Sequence, residues 1–155
     1  MTTIPLTSPS FGAGEPIPAK HTCDGSNLSP ALKWSHLPKN AKSLALICDD
    51  PDAPGGTWVH WVLYNLPASL IELPEGVPNT HLLPTGAEQG VNDFRTVGYG
   101  GPCPPPGPLH HYFFKLYALD SEVHPRSGAT KKDLLSAMER HVLAEGHLMG
   151  TYKRK

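Results

Sequence analysis

The sequence predicts a mostly β protein, an antiparallel two-sheet β-sandwich with one or two peripheral helices. Three observations lead there. Short apolar runs rich in β-branched and aromatic residues recur along the chain, at 43–48, 58–64 and 110–119. Eighteen prolines and fifteen glycines punctuate these runs instead of forming a low-complexity tract, which suits strands joined by shaped loops. No strand–helix–strand rhythm is present, so a parallel sheet with crossover helices is not indicated.

Taken in order, residues 4–20 alternate weakly and carry Pro5, Pro9, Pro16 and Pro18, which predicts edge strands and loops. A turn cluster from Thr22 to Pro30 precedes a short strand, Leu32-Lys33-Trp34, and an exposed turn at 37–42 feeds the central run. Beyond the turn Asp50-Pro51-Asp52-Ala53-Pro54-Gly55-Gly56, strict alternation puts Trp58, His60, Val62 and Tyr64 on one face. Val59, Trp61, Leu63 and Asn65 then share the other. Residues 67–95 hold four prolines and no strong period, an irregular excursion with room for a short helix or a hairpin. The run 110–119 alternates cleanly, His110, Tyr112, Phe114 and Leu116 against His111, Phe113, Lys115 and Tyr117. A helix is predicted over 131–145, opened by Thr130 with Asp133, striped by Leu134, Met138 and Val142, and ended by Gly146. Leu148 to Tyr152 reads as a last short strand.

The chain of 155 residues fits one domain spanning 1–155, and its net charge of −1 supplies no global field toward nucleic acid. Any anion site must therefore be local. Cys23, Cys48 and Cys103 are odd in number and lack a CxxC pair, so neither a disulfide framework nor a zinc ribbon follows from them. No apolar run approaches the length of a membrane span, and the N-terminus lacks the pattern of a signal peptide. A cytoplasmic protein with reduced thiols is the expectation.

Two stretches carry chemistry. In the first, carboxylates Asp50 and Asp52 close one strand and His60 opens the next, so a tight turn brings them to the same end of a sheet. The second runs from Gly98-Tyr99-Gly100-Gly101 through Pro102-Cys103-Pro104-Pro105-Pro106 into His110-His111-Tyr112. A proline run holds a stiff extended path and can wall a cavity. Imidazoles, a phenol and glycine amides donate to an anion, while a neighbouring carboxylate orients a histidine and supports its protonated form. The candidate ligand-binding residues are Asp50, His60, Pro104, Pro105, His110 and Tyr112, with Asp52, Trp58, Gly100, Gly101 and His111 as secondary contacts. A lone strand histidine is often only a satisfied core residue, and His111, on the opposite parity, reads as a rim or surface group. Trp34, Trp58, Trp61 and Cys48 read as core, although Trp58 shares the face of His60.

Together these motifs resemble the phosphatidylethanolamine-binding protein family, known also as Raf-kinase-inhibitor-like proteins, and in particular its small bacterial and archaeal branch. Thr22-Cys23-Asp24-Gly25 with Ser29-Pro30, and Leu148-Met149-Gly150-Thr151-Tyr152, look like that branch too. The resemblance implies a two-sheet sandwich with an anion pocket at Asp50, His60, His110 and Tyr112, walled by Pro104-Pro105. It implies weak binding of phosphate-like groups, phospholipid headgroups or nucleotides, regulation of a partner protein such as a kinase, and a cis peptide before Pro54. The chain departs from animal members in having His111 where arginine is frequent, in its short Gly55-to-Val59 loop, and in ending soon after Tyr152. These departures weigh against direct kinase inhibition.

The leading expectation is a non-catalytic module for a small anionic or phosphorylated ligand, with no cofactor, no metal and no nucleic-acid partner. Contact with phospholipid headgroups at a membrane surface fits the same pocket, and an exposed sheet face would permit a homodimer. The alternative is a hydrolase or metal-dependent enzyme using His60, His110 and Asp50. No GxSxG elbow or HExxH helix is present to support it.

Overall fold

The computed structural model describes residues 2–155. In chain order its elements are β1 (Thr2–Thr3), β2 (Leu6–Thr7), β3 (Leu32–Trp34), β4 (Ser43–Asp50), β5 (Trp58–Pro67), β6 (Glu72–Leu73), β7 (Glu88–Gln89), β8 (His110–Leu119), α1 (Lys131–Met138) and β9 (Val142–Tyr152), with a single 3-10 turn at Ala19–His21. The large sheet runs β1-β9-β8-β4-β5-β7 and the small one β2-β3-β6. Neighbours are antiparallel except β1 and β9, which pair in parallel. The predicted two-sheet β architecture is the one observed.

β4 lies at the centre because its residues are buried on both faces. Leu44, Leu46 and Cys48 enter the core between the sheets, with Trp34, Trp61, Phe114 and Leu116. Ala45 and Ile47 face the other way, into a smaller cluster capped by Leu134 and Met138 of α1. Burial pushes the Cys48 thiol up, which keeps it a core group and not a reactive one. β8 keeps the alternation read from its sequence, with Tyr112, Phe114 and Leu116 inside and Lys115 and Phe113 outside.

The helix is shorter than its apolar stripe predicts. Thr130 and Asp133 form the reciprocal capping box, and Leu134 and Met138 are buried as expected. Glu139 then leaves helical geometry and Arg140 turns left-handed at φ 69°. From Val142 the chain pairs with β8 along the length of that strand, so residues 142–145 belong to β9. Long-range pairing overrides an i, i+4 pattern here. Gly146, read as the helix stop, is instead a strand residue closely approached by Ile4, in the stretch between β1 and β2. A β-carbon there would meet the carbonyl oxygen of Ile4. The excursion at 67–95 contains short strands and a hairpin bridge, Leu82 to Glu88, and no helix.

Strict alternation also fails in β5. Cys48 pairs with Trp61 and Asp49 with Val59, so His60 is the extra residue of a β-bulge. Trp58, His60, Trp61 and Leu63 therefore lie toward the inter-sheet side. Val59, Val62 and Tyr64 pack on the α1 side.

Two further expectations are corrected. No peptide bond among the described residues is cis, and the turn before β5 closes through trans bonds, with Gly56 N–H donating to the Ala53 carbonyl at 3.0 Å. Reduced thiols hold only for Cys48. Cys23 and Cys103, 80 residues apart in sequence, form a disulfide because folding brings their Cα atoms within 5.4 Å.

Candidate ligand-binding site

Asp50 ends β4 and pairs with Trp58, while Asp49 pairs with Phe113 of β8, which sets Tyr112 beside Asp50. The start of β8 and the bulge of β5 thus meet at one end of the large sheet. There a cavity of about 200 Å³ opens, lined by Asp50, His60, His110 and Tyr112 with Pro104 and Pro105 along one wall. Ala53, Pro54, Trp58, Phe94 and Cys103 complete it.

Both imidazoles are fixed through Nδ1. His110 Nδ1 lies 2.7 Å from Asp50 Oδ2, and the carboxylate's other oxygen accepts the Asp52 amide at 2.7 Å. His60 Nδ1 lies 2.6 Å from the Gly100 carbonyl, and Gly100 N–H returns a bond to the His60 carbonyl at 2.9 Å. A carbonyl only accepts, so His60 Nδ1 carries a proton. Among the described residues neither Nε2 has a hydrogen-bond partner. The Tyr112 ring stands between the imidazoles, edge-to-face with His60 at 5.2 Å and stacked with His110 at 6.3 Å.

Burial governs the protonation states. It pushes the His60 imidazole below its ordinary value, against the opposing pull of the Gly100 carbonyl and of Asp50, Asp49 and Asp93. Burial, followed by the charge of Asp50, pushes the Tyr112 phenol far above its ordinary value, so it is a neutral hydroxyl at any physiological pH. The free site therefore presents a neutral imidazole at His60 beside an un-ionised phenol.

The secondary candidates divide. Trp58 lines the cavity and is half-exposed at its rim, edge-to-face with Phe94 at 5.4 Å. Gly100 acts through its backbone, by fixing His60. Gly101 N–H is taken by Asn27 Oδ1 and does not face the cavity. Asp52 and His111 form an exposed pair at 2.7 Å outside the lining, and that bond holds the Asp52 carboxyl below its usual range. Phe94 escaped the sequence reading. It sits in the irregular excursion, on a loop folded around Asn92, whose side chain accepts from Phe94 N–H and Thr96 N–H and donates to the Gly98 carbonyl. The Asn92-to-Thr96 spacing of a side-chain-capped turn was the one signal available.

The family model described as phosphatidylethanolamine-binding protein matches residues 7–153 of this sequence. The chain belongs to the phosphatidylethanolamine-binding protein family. A UPF0098 protein of Methanothermobacter thermautotrophicus is 53% identical, over 96% of this chain and 98% of its own length. Among solved structures, E. coli YbcL, described as a member of the mammalian family, superposes with a TM-score of 0.91 at 37% identity, covering 99% of this chain and 100% of its own. A family homologue from Chlamydia trachomatis gives 0.89 at 42% identity, with both chains fully covered.

Proposed function

We propose that the cavity binds a small phosphate-like anion, free or as the head of a phospholipid or nucleotide, and that the protein does not turn it over. The observation behind this reading is that His60 and His110 line the cavity with Nδ1 of each ring fixed by a hydrogen bond and Nε2 of each left without a partner among the described residues. Such a set can turn imidazole N–H donors toward one oxyanion once Nε2 of His60 carries a proton. The volume of about 200 Å³ falls below the roughly 300–1,000 Å³ of pockets that enclose drug-sized ligands, which favours a headgroup over a whole molecule. Trp58 and Phe94 at the rim would take an apolar continuation.

The enzymatic alternative draws less support. Among the described residues no three His, Cys, Asp or Glu side chains converge as a metal-ligand set. Cys103, the cysteine that lines the cavity, is held in a disulfide. Regulation of a partner protein, a kinase included, would then follow from occupancy of the pocket and not from catalysis.

Calorimetry with phosphate, phosphoethanolamine and a nucleotide tests the reading on the native chain and on His110→Ala. Saturable binding to the native protein, lost in the variant, is the expected result. Equal affinity in both proteins, or no binding to the native one, would overturn it.

A further inference from the structure

We infer that the Cys23–Cys103 disulfide is a redox-controlled tether of the pocket wall, so that reduction weakens anion binding at the site proposed above. The inference rests on that reading of the pocket and adds its regulation.

The wall cannot hold itself in place. Four of the five residues 102–106 are proline and have no amide to donate, and Cys103 N–H makes no backbone bond. What fixes this segment comes from outside it. Cys23 N–H donates to the Pro102 carbonyl at 3.1 Å, Gly107 N–H reaches the Arg154 carbonyl at 3.3 Å, and the Arg154 guanidinium reaches the Pro104 carbonyl at 3.4 Å. The disulfide is the one covalent link among these contacts.

Its two ends are unequally anchored. Cys23 lies in a turn stitched by Thr22 N–H and Oγ to the Ala19 carbonyl, Asp24 N–H to Thr22 Oγ, and Gly25 N–H to the Thr22 carbonyl. Cys103 lies on the donor-poor wall and itself lines the cavity, next to Pro104 and Pro105. Breaking the bond therefore leaves the wall on those three hydrogen bonds alone, while the turn keeps its own.

The bond is also placed to react. Both cysteines are exposed. Arg154 Nη1 stands 3.8 Å from Cys103 Sγ, and Asp24 holds the same guanidinium at 3.1 Å. A cation at that sulfur favours the Cys103 thiolate as leaving group. A dithiol reductant supplies the electrons. Its thiolate attacks Cys23 Sγ, the Cys23–Cys103 bond breaks, and Cys103 departs as thiolate. The reductant's second thiol then displaces Cys23 from the mixed disulfide, closing the reductant's own disulfide. Two electrons pass to the protein and two thiols result once protons are taken up.

The test compares inorganic phosphate affinity of the full chain, by calorimetry at one pH, before and after a dithiol reductant, with free thiols counted in each sample. The expected result is about a tenfold weaker affinity on reduction, roughly 1.4 kcal/mol, restored by reoxidation. Amide exchange at Gly101 and Gly107 should quicken in the reduced protein while Gly25 stays protected. A folded Cys23→Ala variant should bind like the reduced protein and ignore the reductant. Equal phosphate affinity with both thiols counted free would overturn the inference and leave the anion reading intact. Absence of phosphate binding in the oxidised protein would overturn both.

Discussion

Sulfate affinity should depend on pH because of a proton that the free site lacks. His60 Nδ1 is committed to the Gly100 carbonyl, so in the neutral ring Nε2 carries a lone pair and repels an oxyanion. Burial keeps that neutral form dominant in the free protein at neutral pH. Binding must then bring one proton to Nε2, and the bound anion raises the imidazole's pKa in the complex. The groups facing His60 are the Gly100 carbonyl, the carboxylates of Asp50, Asp49 and Asp93, and the neutral Tyr112 ring. Uptake of one proton makes affinity change about tenfold per pH unit, or about 1.4 kcal/mol. Sulfate is the suitable probe because it does not titrate in this range. Between about pH 8 and about pH 6.5 its affinity should rise roughly 30-fold, and level off once the free imidazole is itself protonated. Calorimetry in buffers of different ionisation enthalpy should count about one proton taken up per sulfate at the upper end. Flat affinity across that window, with no proton uptake, would refute the assignment of Nε2 as the donor.

Three other outcomes follow from the same geometry. His21 and His60 are both pushed down by burial, so their contribution to stability is present above the unfolded value of about 6.5 and is lost as pH falls toward their folded values. The thermal midpoint should drop on acidification through that range, and added sulfate should offset the His60 share. Asp50→Asn leaves one acceptor oxygen for two donors, the buried His110 Nδ1–H and the part-buried Asp52 N–H, at a cost of roughly 1–3 kcal/mol. Urea denaturation should register that loss. At Gly100 an added β-carbon would lie 2.5 Å from Phe94 Cδ2, so Gly100→Ala should displace the rim ring, change Trp58 fluorescence and alter ligand affinity without unfolding the protein.

What the sequence made legible was local and what it concealed was relational. β8 could be read residue by residue because burial on one side imposes a period of two that no irregularity interrupts from His110 to Ala118. The capping box was readable for the same local reason. The end of α1 was not, since Val142 continues the helical stripe and only its pairing with Leu119 decides the matter. Alternation from Ala144 through Gly146 and Leu148 to Gly150 was nonetheless present and competed with the stripe. The disulfide joins residues 80 apart, a separation at which spacing carries no information. Phe94 enters the cavity on a loop whose shape depends on one asparagine side chain, beyond the reach of any periodic pattern.

The bulge at His60 is where the fold becomes a site. Had β5 kept unbroken alternation with Trp61 in the inter-sheet core, His60 and Trp58 would have turned toward α1, away from Asp50 and His110. One extra residue opposite Asp49 places His60 and Trp61 on the same side in succession and brings Trp58 around with them. The reciprocal bonds between His60 and Gly100 then hold the bulge against straightening. The same contact fixes the imidazole's tautomer, so the feature that aims the ring also decides that Nε2 waits for a proton. Strand irregularity and ligand chemistry are thereby one constraint, which explains why a parity count placed His60 and Trp58 together correctly while assigning them the wrong companions in Val62 and Tyr64.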